Sequence, residues 1–397
     1  MRIESIQLKN FKNFQNVSIS NIPPFCVVVG ANGSGKTTLF DVFGFLSDCL
    51  KNNVRQALER RGKFREFVSR GHENENIEIT IQFRMEIVEV ERLVTYILKI
   101  GLDDKSQQPI VKQEILRYKR GSAGKPFHFL DFKSGSGYAI TNEEDFKKND
   151  PELTRDEQKL DSADILAIKG LGQFQRFKAA NAFRQMIESW HVSDFHITSA
   201  RGSKDAGCAE HLTTTGDNLA QVAQYIYENH KDTFQKILDQ MRRRVPGIIN
   251  VKATPTEDGR IVLRYQDGKF RDPFIDRFVS DGTIKMFAYL VLLYDPKPHP
   301  LLCVEEPENQ LYHKLLAELA EEFRDYASRG GQAFVSTHSP DFLNATKVDE
   351  VLWLVKKDGF TEVRKASDDP QIRKYMEEGD KMGYLWKEGL FQGVDPA

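Results

Sequence analysis

Paired cysteines are missing from this sequence. Its four cysteines, Cys26, Cys49, Cys208 and Cys303, are scattered over 397 residues with no CxxC among them. Such usage suits a reducing cytoplasm better than a disulfide scaffold. Cys26 and Cys303 lie inside apolar runs, where a thiol acts as a small hydrophobe. Long apolar runs are missing too: no stretch nears the roughly 18 residues that a membrane span needs. The start, MRIESIQLKNF, is an amphipathic strand pattern without the apolar core of a leader. Nor is there an excess of one charge, since 56 Lys and Arg meet 58 Asp and Glu for a formal net charge of -2. No global basicity announces nucleic acid, although a local basic face is compatible with near-neutrality. The absence of a fixed-period repeat or a heptad array excludes a long coiled-coil arm. What is present, 40% hydrophobic and 29% charged residues, is the composition of a globular chain of one large or two ordinary domains.

Along the chain, RIESIQLKNF, NVSIS and FCVVVG read as strands, and KTTLFDVFGFLSDCL reads as a helix followed by a basic helical stretch, NNVRQALERRGKFREFVSRG. Alternating segments from Ile77 to Ile140, with Gly, Asp and Ser in their turns, predict an antiparallel sheet. Residues 141–162 are almost wholly polar and read as a solvated connector. Helical spacing returns in FQRFKAANAFRQMIESW and in NLAQVAQYIYENHKDTFQKILDQMRRR. Beyond the short strands IINVKA and GRIVLRY, helix and strand alternate through TIKMFAYLVLLY, LLCVE, LYHKLLAELAEEFRDYA, QAFVSTH and EVLWLVKK. That alternation predicts a parallel α/β sheet.

Two stretches carry chemistry. Gly30 to Thr37, GANGSGKT, satisfies G-x-x-x-x-G-K-[ST] between a buried strand and a helix. Gly30, Gly33 and Gly35 let the backbone N–H groups of Ala31, Asn32 and Ser34 turn inward around phosphate oxygens. Lys36 is placed to reach the β- and γ-phosphates, the Thr37 hydroxyl to hold Mg²⁺, and Thr38 to line the same turn at the helix N-terminus. The second stretch, LLCVEEPENQLYHKL, runs an apolar strand into two carboxylates. Paired buried acids are expensive unless a cation attends them. A phosphate cradle with Mg²⁺ supplies that cation, so Glu305 reads as a contact to the metal shell and Glu306 as the group that orients an attacking water.

With these go VSDGT (Val279 to Thr283) ahead of an apolar helix, and VSTHSP, which ends a strand at His338. In this order the motifs resemble those of SMC/RecF-type ABC ATPases, and within them the compact bacterial AAA-ATPase-like proteins of the OLD-related branch. The likeness spans about residues 1–355 and is supported by IQLKNFKNF, FREFVSRG, ESWHVSDFHI and TTTGDNLAQVAQYI. It implies an α/β P-loop NTPase of ABC/SMC-head type with an antiparallel β lobe and a short helical lid insertion. The implied organisation is a single head over 1–365: an N-terminal lobe (1–140), a connector with helical insertion (141–250) and a C-terminal lobe (251–365). A tail, 366–397, follows.

The resemblance also implies ATP and Mg²⁺ as ligands and a head-to-tail homodimer or higher homo-oligomer. Ser280 and Gly282 would then face the γ-phosphate bound by the opposite protomer, and His338 would sense that phosphate in its own chain. Asn10, Lys12 and Asn13 would lie near the nucleotide, and Gln82 and Gln173 both remain candidates for the Q-loop glutamine. OLD-like nucleases append a Toprim domain. Here only residues 358–397 follow EVLWLVKK, fewer than the ~50 residues of a small domain. The expected role is therefore an ATPase without its own nuclease that senses or remodels DNA or RNA and controls a separately encoded, nuclease-like effector, as in phage defence. A recombination or repair ATPase and a slow nucleotide-binding scaffold are the rivals.

Two further groups read as structural. His191, His196, Cys208 and His211 share a block whose spacing fits no familiar zinc pattern. The basic residues Arg55, Arg60, Arg61, Lys63, Arg65 and Arg70, like the run MRRR at 241–244, read first as solvated helix faces.

Overall fold

Strict alternation in IEITIQFRMEI puts every second side chain on one face, and the strand Ile77–Ile87 buries that face completely. It lies inside an eight-stranded antiparallel sheet. The order is Phe14–Ser20, Arg2–Phe11, Ile77–Ile87, Val90–Leu102, Pro109–Tyr118, Phe127–Lys133, Ser136–Ile140 and Arg155–Lys159. This computed structural model describes residues 2–119, 125–143 and 153–394. Its contacts divide the chain into two compact units, Met1–Trp190 with Val348–Arg373 and Gly389–Ala397, and His191–Lys347 with Lys374–Glu388. Among the described residues, no helix is long and apolar enough to cross a membrane.

In the first unit the helix Lys178–Glu188 covers the sheet, its Phe183 ring stacking on Phe83 at 4.8 Å and tilting over Tyr96 at 4.5 Å. Two buried carboxylates pin helices to the sheet. Glu114 accepts from the backbone N–H groups of Ala167 and Ile168 and from the Tyr96 hydroxyl. Glu143 accepts from Ala179 N–H at 3.1 Å and from the Tyr118 hydroxyl at 2.7 Å. Burial outweighs these bonds and raises both carboxyls to about 7.

The strand Phe25–Gly30 is buried along its whole length and pairs in parallel with Val351–Lys357. The latter turns back into Phe360–Lys365 through Asp358 (φ 50°) and Gly359 (φ 86°). Both φ angles are positive, as the two-residue hairpin turn with Asp-Gly requires.

The second unit pairs His191–Ser193, Leu302–Glu305 and Ala333–Ser336 in parallel. A small antiparallel group, Lys204–Asp205, Arg260–Asp267 and Ile248–Pro255, stands beside them in the same unit. The helix Asp281–Leu293 is buried from Thr283 onward, which explains why its sequence is apolar all round.

Three expectations need correction. Within the polar segment 141–162, residues 144–152 lie outside the described residues, but Arg155–Lys159 is a strand rather than connector. Backbone pairing to Ser136–Ile140 specifies it, and its edge position leaves its polar side chains in or near solvent. The basic stretch after the first helix forms two short helices, Val54–Glu59 and Lys63–Phe67, broken at Gly62 with φ 89°. The long helical run after Asn218 is likewise two helices, Leu219–Asn229 and Lys231–Arg244, parted at His230. The tail packs on the fold: Phe391 meets the Trp353 ring at 5.3 Å, and Met382 and Leu385 are buried. Residues 395–397 lie outside the described residues.

Candidate functional site

The residues singled out by sequence form two groups, one in each unit. In the first unit the glycine loop leads from the strand Phe25–Gly30 into the helix Lys36–Lys51. Gly33 (φ 76°) and Gly35 (φ 107°) adopt the left-handed region, Gly35 as the residue that opens the helix. A Cβ on Gly30 would sit 2.8 Å from the Leu354 carbonyl, and one on Gly35 would be strained at φ 107° and meet Asn13 Nδ2 at 2.4 Å. The chain there is therefore closed to side chains. The Lys36 ammonium is drawn into the loop and donates to the carbonyls of Gly30 (2.9 Å) and Ala31 (3.1 Å). Thr37 is exposed at the mouth and Thr38 is half-buried behind it.

Thr361, which sequence reading missed, ties the loop down. Its hydroxyl donates to the Ser34 carbonyl at 2.6 Å and accepts from Asn13 Nδ2 at 2.7 Å. Its N–H donates to the Asn13 carbonyl at 2.8 Å. Asn13 thus reaches the cradle. Lys12 pairs with Asp41 of the following helix, and Asn10 is buried with its amide on the carbonyls of His72 and Asn76. Asp41 and Asp48 also hold Arg61, and Glu66 pairs with Arg70, so this basic segment is partly neutralised by its own fold. Gln82 sits in mid-sheet, where Ser5 donates to its amide oxygen at 2.9 Å, and Gln173 is exposed.

In the second unit the strand Leu302–Glu305 delivers Glu305 half-buried, and Glu306 follows at φ 43°. A left-handed glutamate costs on the order of 1–3 kcal/mol and persists only where its surroundings hold it. Here Glu306 N–H donates to the Ser336 carbonyl at 2.9 Å, and Asn309 Nδ2 donates to Glu306 Oε2 at 3.0 Å. His338 Nε2 stands 3.5 Å from Glu306 Oε1. Glu308 fixes that histidine's backbone by accepting from His338 N–H (2.7 Å) and from the Thr337 hydroxyl (2.8 Å).

Ser280 caps the helix Asp281–Leu293 through Thr283 N–H at 3.3 Å. A Cβ on Gly282 would lie 2.7 Å from the Gln310 carbonyl, so the glycine lets the EPENQ turn approach the helix start. Lys285, one turn along, donates to the Asn309 carbonyl at 2.7 Å. Burial lowers its ammonium to about 8 against the opposing pull of Glu308 and Glu306. Arg201 braces the loop before the helix by donating to the carbonyls of Asp276 and Val279 and pairing with Asp281. Neither Lys285 nor Arg201 carries a motif that sequence reading could use. A cavity of about 620 Å³ opens among Arg201, Asp281, Lys285, Glu305, Glu306 and Asn309. Of the 241–244 run, Arg244 is buried on Glu318 and Glu322 and Arg242 bonds Asp239, so neither is spare for a phosphodiester.

A glycine cradle around a lysine, in one chain with a strand ending in paired acids and a capped Ser-x-Gly helix start, defines a P-loop protein of ABC/SMC-head fold. Comparison with known proteins agrees. Residues 25–344 match the family described as "AAA domain, putative AbiEii toxin, Type IV TA system", and the chain belongs to it. Among solved structures, the SMC head bound to the C-winged helix domain of ScpA aligns over 92% of this chain and 97% of its own, at TM-score 0.56 and 14% identity. The SMC head domain from Thermotoga maritima aligns over 92% and 99% at TM-score 0.45 and 13% identity. The Smc head with extended coiled coil bound to the C-terminal domain of ScpA, derived from Pyrococcus furiosus, aligns over 94% and 99% at TM-score 0.48 and 13% identity. No curated protein sequence matches the chain.

Proposed function

We propose that the chain hydrolyses ATP with Mg²⁺, and that its nucleotide state controls a separate effector. The observation that carries this reading is the cradle itself, a loop closed to any Cβ at Gly30 and Gly35 and wrapped around the Lys36 ammonium. Its donor set suits a triphosphate: backbone N–H groups at a helix N-terminus, one ammonium, and the exposed Thr37 hydroxyl for a hard cation. Bound Mg²⁺ would neutralise charge on the phosphates, with Thr37 and Glu305 as the residues to hold it. Glu306 accepts a proton from, or orients, the attacking water, and His338 beside it reads the γ-phosphate. The left-handed backbone of Glu306, retained at a cost, supports a catalytic rather than a packing role.

Ser280 and Gly282 complete the site of a second copy in a head-to-tail dimer, as in the SMC/RecF-type proteins the sequence resembles. The family description, which names a toxin–antitoxin system, favours regulated effector control over housekeeping repair. DNA or RNA is the proposed trigger, in keeping with the SMC-like head. The deciding experiment compares Glu306→Gln with the parent chain. Binding of a fluorescent ATP analogue should persist while phosphate release falls at least ~100-fold. Parental phosphate release from Glu306→Gln would overturn the assignment. A Ser280→Arg chain mixed with a Lys36→Ala chain should regain one working site per heterodimer, and no recovery in proven heterodimers would refute the shared site.

A further inference from the structure

We propose that His211, Asp295 and His299 form a binding site for a divalent metal ion of the zinc class, separate from the acidic group at Glu305 and Glu306. One donor atom from each of the three lies within 4.8 Å of the other two. They come from different parts of the second unit. His211 belongs to the loop after Lys204–Asp205, whereas Asp295 and His299 flank the PKP turn after the helix Asp281–Leu293.

The carboxylate is oriented before any ion arrives. Asp295 Oδ1 accepts from Lys297 N–H at 2.8 Å, which leaves Oδ2 turned to His211 Nδ1 at 2.7 Å. A ligating carboxylate is ordinarily held by a hydrogen bond to its other oxygen, as Asp295 is by Lys297 N–H. His299 is anchored through its carbonyl, which accepts the Tyr326 hydroxyl at 2.8 Å, and its ring lies against those of His191 (4.9 Å) and His211 (5.1 Å).

Charge argues the same way. Asp295 is 4% exposed, and a buried carboxylate needs a cation. The ammonium two residues away, Lys297, is paired with Glu210 at 3.3 Å. A protonated His211 would serve as the cation, but a single His–Asp pair gives no reason for His299 to bring a second imidazole donor to the same place. A metal ion uses all three. Two imidazoles and one carboxylate are borderline donors, suited to Zn²⁺ and its spectroscopic substitute Co²⁺ rather than to Mg²⁺. The extremes of 2.7 and 4.8 Å bracket the ~3.3 Å donor separation set by ~2.0 Å bonds in a tetrahedral zinc site.

Such an ion would clamp the 206–212 loop to the segment that enters the strand Leu302–Glu305, and so steady the strand that carries the paired acids. The four residues that sequence reading grouped are not the site. His196 pairs with Asp194 and Cys208 is exposed, and only His211 belongs to the proposed ligand set.

The test uses the full chain, stripped with EDTA, loaded with ZnCl₂ or CoCl₂ and dialysed. Elemental analysis should find one zinc per chain, and the midpoint of thermal unfolding should rise on loading. The Co²⁺ form should show visible absorption of a low-coordinate nitrogen–oxygen site without the thiolate charge-transfer band of a cysteine ligand. His299→Asn and Asp295→Asn should each weaken zinc retention at least ~10-fold, with His196→Asn unchanged. The cobalt spectrum of the unsubstituted chain reads the ligands even where a variant fails to fold. Failure to retain zinc, a thiolate band, or loss of the metal in Glu306→Gln but not in His299→Asn would each overturn the proposal. None of these readouts depends on ATP turnover.

Discussion

The cradle in the first unit and the acidic group in the second hold their geometry in different ways. The cradle is made of backbone: glycines at φ 76° and 107°, carbonyls around one ammonium, and a helix start. Its shape follows from eight consecutive residues, and Thr361 ties it from a distance. The acidic group is made of side chains gathered across more than a hundred positions, from Arg201 to His338. Glu306 keeps its left-handed backbone only because Ser336, Asn309 and His338 surround it. A backbone device tolerates change around it but not within it. A side-chain device is adjusted, or lost, from many places.

The comparison predicts graded effects. The largest belongs to Lys36→Ala, which removes the only side-chain cation seated in the cradle loop among the described residues. Nucleotide affinity should fall ~100-fold or more, the loss of charge-assisted bonds worth roughly 3 kcal/mol, as read by equilibrium dialysis. Unchanged affinity would mean that the cradle is not the nucleotide site.

Next comes Arg201→Ala, which strips two carbonyls and Asp281 of their shared donor. A cost of roughly 2 kcal/mol is expected, together with faster amide exchange over residues 276–283. Hydrolysis should decline while nucleotide affinity holds. Equal losses of both would contradict the separate duties of the two groups.

A pH effect follows from Glu114 and Glu143, raised from 4.5 to about 7 in the fold. Because the folded state binds more protons than the unfolded one in this window, their stabilisation is complete below about 4.5 and is lost as pH rises through 7. The slope should be on the order of 1–3 kcal/mol per carboxyl across the window. In urea titrations of Glu114→Gln, one carboxyl's share of that slope should vanish, and an unaltered slope would assign the proton elsewhere. The smallest effect is expected of Thr361→Val, about 1 kcal/mol and a several-fold weaker nucleotide affinity, because the cradle's own backbone remains.

Local sequence carried the fold where periodicity and turn chemistry agree. The strand Ile77–Ile87 and the helix after GANGSGKT both form where their residues say they should. It failed where pairing or a single break decides. Arg155–Lys159 has no apolar face and is a strand only because an open sheet edge accepts it. The helices around His230 have continuous helical spacing and part at one residue.

By itself, then, the sequence determined the glycine cradle and the strand that runs into Glu305 and Glu306, since each is written in consecutive residues, and it determined the family through the order of its motifs. Only the tertiary structure decided that Thr361 ties the cradle, that Arg201 and Lys285 brace the helix start at Ser280, and that His211 meets Asp295 and His299. These contacts join residues up to 348 positions apart, and no local pattern encodes them, because side chains find one another there only after the sheets and helices that carry them have packed.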